Sequence, residues 1–243
     1  MHMKYEKTNS IPSLLIGFLS MALCHHVGWS TTTISSGHTD IFEAEHEQDG
    51  TNTPTVHLGV HTDTGHYEPA DVLLEVGNAA YGSTAEFSPT IISLLGANAW
   101  ILPVDLEQAA NLGLIEAGVA KAGFPDAGPV TFTMVAAGAA NPGNFALFNS
   151  TGATPIRLSA TGSEVGTSGF SITTGHIHYN WGFSAPGTYT FDLKASYTDA
   201  VFGALESAVE TYTFNVIPEP IGGALLLTAF SVGLSLRRRF LRS

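Results

Sequence analysis

The sequence predicts an all-β domain, a β-sandwich of about eight or more short strands with one short helix inserted. Segments in which apolar and polar residues alternate recur along the chain, and turn residues separate them. This pattern is typical of strands that bury one face. The composition agrees, since only 12% of the 243 residues are charged and 26 are glycine, which fits an extracellular β domain better than a helical one.

The alternation begins clearly at 55–61. The helix is predicted to begin after Asp105, because Gln108 lies three residues later in the spacing of a capping box. The remaining strands are predicted near 71–76, 130–135, 145–148, 155–158 and 210–216, with a turn at 63–65.

The clearest hairpin spans 175–191. In a continuous strand over 175–183, the odd-numbered residues from 177 onward are large and apolar, while the even-numbered ones include His176, His178 and Asn180. Successive side chains of a strand point to opposite faces, so this strand is expected to build core on one face and to present two imidazoles on the other. Its aromatic residues are therefore expected in the core and not in a sugar-stacking platform.

An acidic segment precedes the first of these strands. His38 and Asp40 are two residues apart and would share one face of an extended chain. The following residues 43–49 contain four carboxylates and one histidine, and they are interpreted as a solvated turn.

Charge and cysteine content limit the possible functions. The segment 34–216 contains three basic and 19 acidic residues, which would repel a phosphate backbone, so no binding of nucleic acid is expected. The single cysteine, Cys24, lies outside this segment, so no disulfide and no thiolate chemistry are expected within it.

The N-terminal residues 1–30 have the features of a secretory signal peptide. Lys4 and Lys7 precede an apolar run at 11–23 that is short for a membrane span. A lipoprotein signal at Cys24 is disfavoured, because the preceding residue should be small and is a leucine.

The C-terminal residues 217–243 predict a membrane anchor. Pro218, Glu219 and Pro220 precede an uncharged run at 221–236, which would form a helix of about 24 Å. A basic end follows, and it predicts that the C-terminus is cytoplasmic and that the domain at 34–216 lies outside. The basic residues directly after the run are Arg237, Arg238 and Arg239.

This tail resembles the PEP-CTERM sorting signal, which consists of a Pro-Glu-Pro tripeptide, a short membrane span and a basic end. The resemblance implies export in a bacterium with an outer membrane, anchoring in the inner membrane, and processing by a protease of the exosortase class. The protein would then reach the cell envelope, the cell surface or the medium.

The domain itself resembles the choice-of-anchor M family, also described as an actinobacterial surface-anchored domain. The motifs that carry the resemblance are GHTDIFEAE, AWILP, NPGNFALFNSTG and GHIHYNWGFSAPGTYTF. The family usually has Gly-Pro-Gly where this chain has Asn141-Pro142-Gly143. The resemblance implies a surface location, while the molecular role of such domains is poorly defined.

The sharpest chemical hypothesis is a metal site. Two histidines at i and i+2 of a strand lie about 6.6 Å apart and face the same way, so both can bind one ion. We predict that His176 and His178 supply two ligands and that His38 and Asp40 supply one or two more. Such a ligand set suits Zn²⁺, the favoured ion, or another first-row divalent ion. Asn180 or a backbone carbonyl would orient an imidazole. The alternative for each pair is outward-facing polar residues without a metal.

Two further histidines, His57 and His61, are about 13 Å apart along their strand, so at most one of them is expected in any one site. The common catalytic motifs, such as a Gly-x-Ser-x-Gly elbow or a His-Glu-x-x-His helix, do not occur in the sequence. A non-catalytic, metal-binding envelope protein is therefore predicted. The alternatives are a structural or adhesive component of the surface or of an exopolysaccharide matrix and, less favoured, a metal-dependent hydrolase.

Overall fold

The computed structural model describes residues 31–48, 53–150 and 155–218, and within them the chain is mostly β-strand. This confirms the all-β class. Two α-helices, α1 (Pro89–Leu95) and α2 (Leu106–Asn111), interrupt the strands. The strands are β1 (Thr32–Ile34), β2 (Gly37–Glu47), β3 (Thr55–Thr62), β4 (Gly65–Tyr67), β5 (Val72–Val76), β6 (Tyr81–Ser83), β7 (Asn98–Leu102), β8 (Ile115–Ala122), β9 (Val130–Ala137), β10 (Asn144–Phe148), β11 (Ile156–Thr161), β12 (Glu164–Val165), β13 (Gly169–Ile172), β14 (His176–His178), β15 (Asn180–Phe183), β16 (Gly187–Asp199), β17 (Gly203–Glu206) and β18 (Glu210–Val216).

The strands form three sheets, where a simple sandwich would have two. A seven-stranded sheet has the order β1-β5-β18-β16-β9-β13, with β17 paired to β16. A six-stranded sheet has the order β12-β11-β10-β15-β7-β6, and a five-stranded sheet has the order β14-β8-β2-β3-β4. In the five-stranded sheet β2 runs parallel to β8 and antiparallel to β3, which brings residues near 40, 118 and 61 side by side.

An aromatic core joins the three sheets. The ring of Phe42 in the five-stranded sheet lies 4.7 Å from that of Trp181 in the six-stranded sheet and 4.9 Å from that of Tyr212 in the seven-stranded sheet, measured between centroids. All three side chains are fully buried. Each such aromatic buries a large apolar area, so this contact fixes β2 firmly against the body of the domain.

The helix prediction was half complete. α2 begins as expected, with the Asp105 side chain accepting a hydrogen bond of 3.0 Å from the backbone N–H of Gln108. α1 was not predicted, so the prediction of a single inserted helix was wrong. Its signals are present in the sequence: Ser88 is the N-cap, Pro89 occupies the first turn, and Gly96 ends the helix with φ of 91°.

The acidic segment was also predicted wrongly. Residues 43–47 continue β2 as a strand, and Glu43 is buried at 6% exposure instead of lying in a solvated turn. The strand contains a β-bulge at Ile41: Asp40 is opposite Gly118 on β8, whereas Phe42 is already opposite Val119. One extra residue changes the alternation, so Glu43 shares the outer face with Asp40.

The predicted strand at 175–183 is two strands. β14 pairs with β8 in the five-stranded sheet, and β15 pairs with β7 and β10 in the six-stranded sheet. The chain changes sheets at Tyr179, yet the alternation continues, and both Tyr179 and Trp181 are buried as expected. The change of sheet anchors the end of β14 to the core.

The signal peptide at 1–30 and the C-terminal run at 221–236, together with Glu219, Pro220 and the three arginines, lie outside the described residues. Among the residues that are described, no helix is long and apolar enough to cross a membrane.

Candidate metal centre

The outer face of the five-stranded sheet carries a concentration of histidines. Paired residues of neighbouring strands point to the same face, so the strand register identifies which side chains share it. Asp40 on β2 is opposite His61 on β3 and Gly118 on β8, and His178 on β14 is opposite Gly118 as well. By this register the outer-face histidines are His38, His57, His61, His66, His176 and His178.

Three of them form a compact group, called here the histidine site: His38, His176 and His178. One ring nitrogen of each lies within 4.8 Å of one from each of the others. The ring centroid of His38 is 5.1 Å from that of His176 and 5.7 Å from that of His178. The structure therefore brings residue 38 to the β14 histidines, as the predicted shared site requires. Binding of a metal there stays a prediction.

The hydrogen-bonding environment determines which nitrogens are free. Nδ1 of His178 lies 2.9 Å from the carbonyl oxygen of Ala117, which can only accept a hydrogen bond, so Nδ1 carries the proton. Nδ1 of His176 faces a carboxylate oxygen of Asp40 at 2.8 Å, which favours the same tautomer. Both Nε2 atoms then carry lone pairs, and they approach each other to 2.5 Å.

Two lone pairs at this distance repel each other unless a cation or a proton lies between them. A tetrahedral Zn²⁺ with Zn–N bonds of 2.0–2.1 Å holds neighbouring nitrogens about 3.4 Å apart. The two rings would therefore need to move apart by only about 1 Å to accommodate the ion. The site is accessible from solvent, since the His176 side chain is 37% exposed. Three imidazoles would leave one tetrahedral position for water or another ligand.

Asp40 does not belong to the compact group and contacts one of its members instead. Its Oδ1 is buried and lies 2.8 Å from Nδ1 of His176, within hydrogen-bonding distance. A carboxylate behind a metal-binding imidazole orients the ring and raises its basicity. The geometry thus favours a positioning role for Asp40 over the predicted direct ligation.

A glycine makes room for this contact. A methyl group at Gly118 on β8 would overlap Oδ1 of Asp40 and would lie 2.8 Å from Cε1 of His176. The two side chains therefore pack directly over the bare backbone of β8, the strand between β14 and β2, and any other residue at position 118 would displace one of them.

The environment of His176 favours its neutral form. Burial lowers the pKa of His176 most strongly, the charges of His178 and His38 lower it further, and the Asp40 carboxylate opposes them. A neutral imidazole is the form that binds a metal, so this pKa shift extends the metal-binding state to lower pH.

Of the two groups predicted to orient an imidazole, Asn180 and a backbone carbonyl, only the carbonyl does so. Asn180 is 2% exposed and directed elsewhere: its Oδ1 accepts from the backbone N–H of Val104 at 2.9 Å, and its Nδ2 donates to Ser150 at 2.9 Å. That candidate was wrong, because the change of sheet at Tyr179 turns Asn180 away from β14. The backbone carbonyl alternative is present, at Ala117.

The outer face of the five-stranded sheet carries further histidines beyond the histidine site. His57 contacts Glu68 at 3.3 Å. Among the described residues, two groups of three could hold a metal ion: the histidine site, and Glu43 with His61 and His66. His57 is in neither group, so at most one of His57 and His61 joins a site, as predicted. The sequence predictions missed Glu43 and His66, which lie together with His61. A bulge that brings Glu43 outward would have been the signal, but a bulge cannot be read from alternation alone.

A surface pocket of about 490 Å³ lies elsewhere, between β6, β7 and α2, and no histidine lines it. Tyr81, Phe87 and Gln108 are among its lining residues. We assign it no function.

Comparisons with protein-family models, with characterised proteins and with solved structures found no match to this chain. The resemblances to the choice-of-anchor M family and to the PEP-CTERM signal therefore stay predictions from the motifs.

Proposed function

We propose that this domain binds one divalent transition-metal ion at the histidine site and that the protein does so in the bacterial cell envelope. The observation that carries the proposal is the convergence of His38, His176 and His178, with the Nδ1 atoms of the last two occupied by oxygen acceptors. This arrangement leaves Nε2 of both residues directed at a common point. Imidazole nitrogens bind several first-row divalent metals, and a tetrahedral set of three with one open position is typical of Zn²⁺, which is the ion we expect.

The cellular location rests on the sequence. A signal peptide at 1–30, the Pro218-Glu219-Pro220 motif, the apolar run and the basic end support export and processing by an exosortase-type protease. The domain itself would face the outside, where the acidic surface of 34–216 attracts cations.

A metal-dependent hydrolase is the second candidate, and the open tetrahedral position favours it. A metal-bound water at that position could act as a nucleophile. Hydrolysis of a simple chromogenic ester that requires the metal would identify this activity. The third alternative is a structural or adhesive surface protein without any metal.

The test is metal binding by the purified full chain after removal of metals with a chelator. We expect Zn²⁺ to bind and raise the Tm, and we expect His178→Ala to weaken binding at this site by at least about 100-fold because one of three ligands is lost. Titration calorimetry and thermal melting measure the two effects.

The matched control is His57→Ala, which removes an imidazole from the same face but from outside the histidine site. It should bind Zn²⁺ as the unchanged chain does. If His178→Ala and His57→Ala bind Zn²⁺ with the same affinity, the histidine site is not a metal site. The structural or adhesive alternative would then be favoured.

A further inference from the structure

We propose that the same face of the domain contains a second, separate divalent-metal site, formed by Glu43, His61 and His66. This group is called here the glutamate site. One ligand atom of each residue lies within 4.8 Å of those of the other two. Glu43 comes from β2, His61 from β3 and His66 from β4, so the site is built on one hairpin and its neighbouring strand.

The distances within the site match metal coordination better than hydrogen bonding. Oε2 of Glu43 lies 3.5 Å from Nδ1 of His61 and 3.3 Å from Nδ1 of His66. Hydrogen bonds between such groups are shorter, at about 2.7–2.9 Å when charged. The edges of a tetrahedron around Zn²⁺, in contrast, are about 3.4 Å for bonds of 2.0–2.1 Å.

The buried carboxylate of Glu43 is the second and independent observation. The side chain is only 7% exposed, and its Oε2, the atom directed toward both imidazoles, has no hydrogen-bond partner. Burial raises the pKa of Glu43, which the nearby His61 and His66 partly oppose. An unpaired buried carboxylate is costly, and a bound cation at the two imidazoles would supply the missing partner.

The surroundings of His66 fit a ligand that is held in place. Its Nε2 faces Oε2 of Glu45 at 3.6 Å, so a carboxylate lies behind the ring, as Asp40 lies behind His176. A methyl group at Gly59 on β3 would overlap Nε2 of His66. The imidazole therefore lies directly over the backbone of a glycine, and His61 and His66 remain open to solvent on their outer side.

The two sites share no ligand. The histidine site takes its ligands from β2 and β14, whereas the glutamate site uses β2, β3 and β4. Removing a ligand of one site therefore leaves the ligand set of the other complete, so each site can be tested alone.

The experiment counts ions bound to the purified full chain and to three variants. The chain is freed of metal with a chelator, titrated with Co²⁺ and then with Zn²⁺, and followed by the visible absorption of bound Co²⁺ and by elemental analysis. The variants are His66→Ala, His178→Ala and the double variant. Far-UV circular dichroism and melting without metal show whether each of them is folded.

We expect two ions per chain, one in each single variant and none in the double variant. The inference is overturned if His66→Ala binds as many ions as the unchanged chain with the same affinity. Loss of one ion in His66→Ala together with no change in His178→Ala would support the glutamate site and refute the histidine site. If His66→Ala does not fold, His61→Asn and Glu43→Gln test the same site, and retention of both ions by both variants overturns it.

Discussion

The histidine site and the glutamate site lie on one face of one sheet, yet they are assembled in different ways. The first joins His38 to two residues about 140 positions later in the chain, so it exists only when β14 has docked beside β8. The second draws its ligands from 43–66, a single meander of neighbouring strands. The first is thus a product of the complete fold, and the second of local strand pairing.

The sites also differ in charge. The histidine site presents imidazoles alone to an ion, with the Asp40 carboxylate behind one of them. The glutamate site places a carboxylate among its ligands and buries it. In the metal-free fold the histidine site holds two lone pairs close together, and the glutamate site holds a buried anion. A bound cation would relieve both, so we expect metal to stabilise both regions.

Among residues that supply no ligand, the two glycines are expected to have the largest effects, because each controls the geometry of one site. Gly118→Ala would displace Asp40 and His176, and Gly59→Ala would displace His66. We expect each substitution to weaken Zn²⁺ binding about 100-fold at its own site and to cause no loss of affinity at the other, since an error near 1 Å in ligand position is enough. Titration calorimetry resolves the two affinities.

The control for both is Gly82→Ala, since a methyl group at Gly82 meets no atom within 4 Å. This variant should keep both affinities. Equal loss at both sites in either of the other variants would mean that the sites are one structural unit, and the comparison would fail.

A smaller effect is expected from Asp40→Asn. If Asp40 only orients His176, the variant keeps three ligands and loses about 10-fold in affinity at the histidine site. The visible spectrum of Co²⁺ bound there should keep its shape, because the ligand atoms are the same. A changed spectrum would instead make Asp40 a ligand, as the sequence analysis predicted.

The smallest effect is expected from Glu43→Gln in the metal-free chain, and it is a gain in stability where the other substitutions cause a loss of affinity. Burial raises the pKa of Glu43 above its ordinary value of 4.5, so its ionised form destabilises the fold at neutral pH. Removing the charge should raise the Tm at pH 7 by about 2–4 °C, which corresponds to about 1 kcal/mol for a domain of this size.

The gain should shrink as the pH falls through the raised pKa toward 4.5, because Glu43 of the unchanged chain then takes up its proton. Thermal melting across this pH range, in the presence of a chelator, measures the effect. Glu47→Gln, at the exposed end of the same strand, is the control and should leave the Tm unchanged. A lower Tm for Glu43→Gln would show that the carboxylate is stabilising without metal.

Periodicity predicted the parts of this molecule in which neighbouring residues decide the structure. The final strand at 210–216, the capped helix after Asp105 and the inward aromatic residues at 179 and 181 all follow from local rules. The i, i+2 spacing also placed His176 and His178 on one face.

The remainder depends on pairing between strands that are distant in sequence. Nothing local reveals that Tyr179 marks a change of sheet, and this change decided the role of Asn180. The bulge at Ile41 is likewise a consequence of how β2 pairs with β3 and β8 at once. The density of carboxylates at 43–49 assigned Glu43 to a solvated turn, and because the bulge was not foreseen, the glutamate site was missed.

The bulge also determines how two ions would influence each other. It leaves Asp40 and Glu43 on the same face, and the Asp40 charge is already one of the causes that raise the pKa of Glu43. The positive charge of an ion at either site would repel a cation at the other site, so the second cation would bind more weakly than the first. We therefore expect stepwise uptake, with a singly loaded form prevailing over a range of free metal concentrations. As the concentration of free metal falls, such a protein would release its two ions one after the other, and it would buffer free metal over two separate concentration ranges.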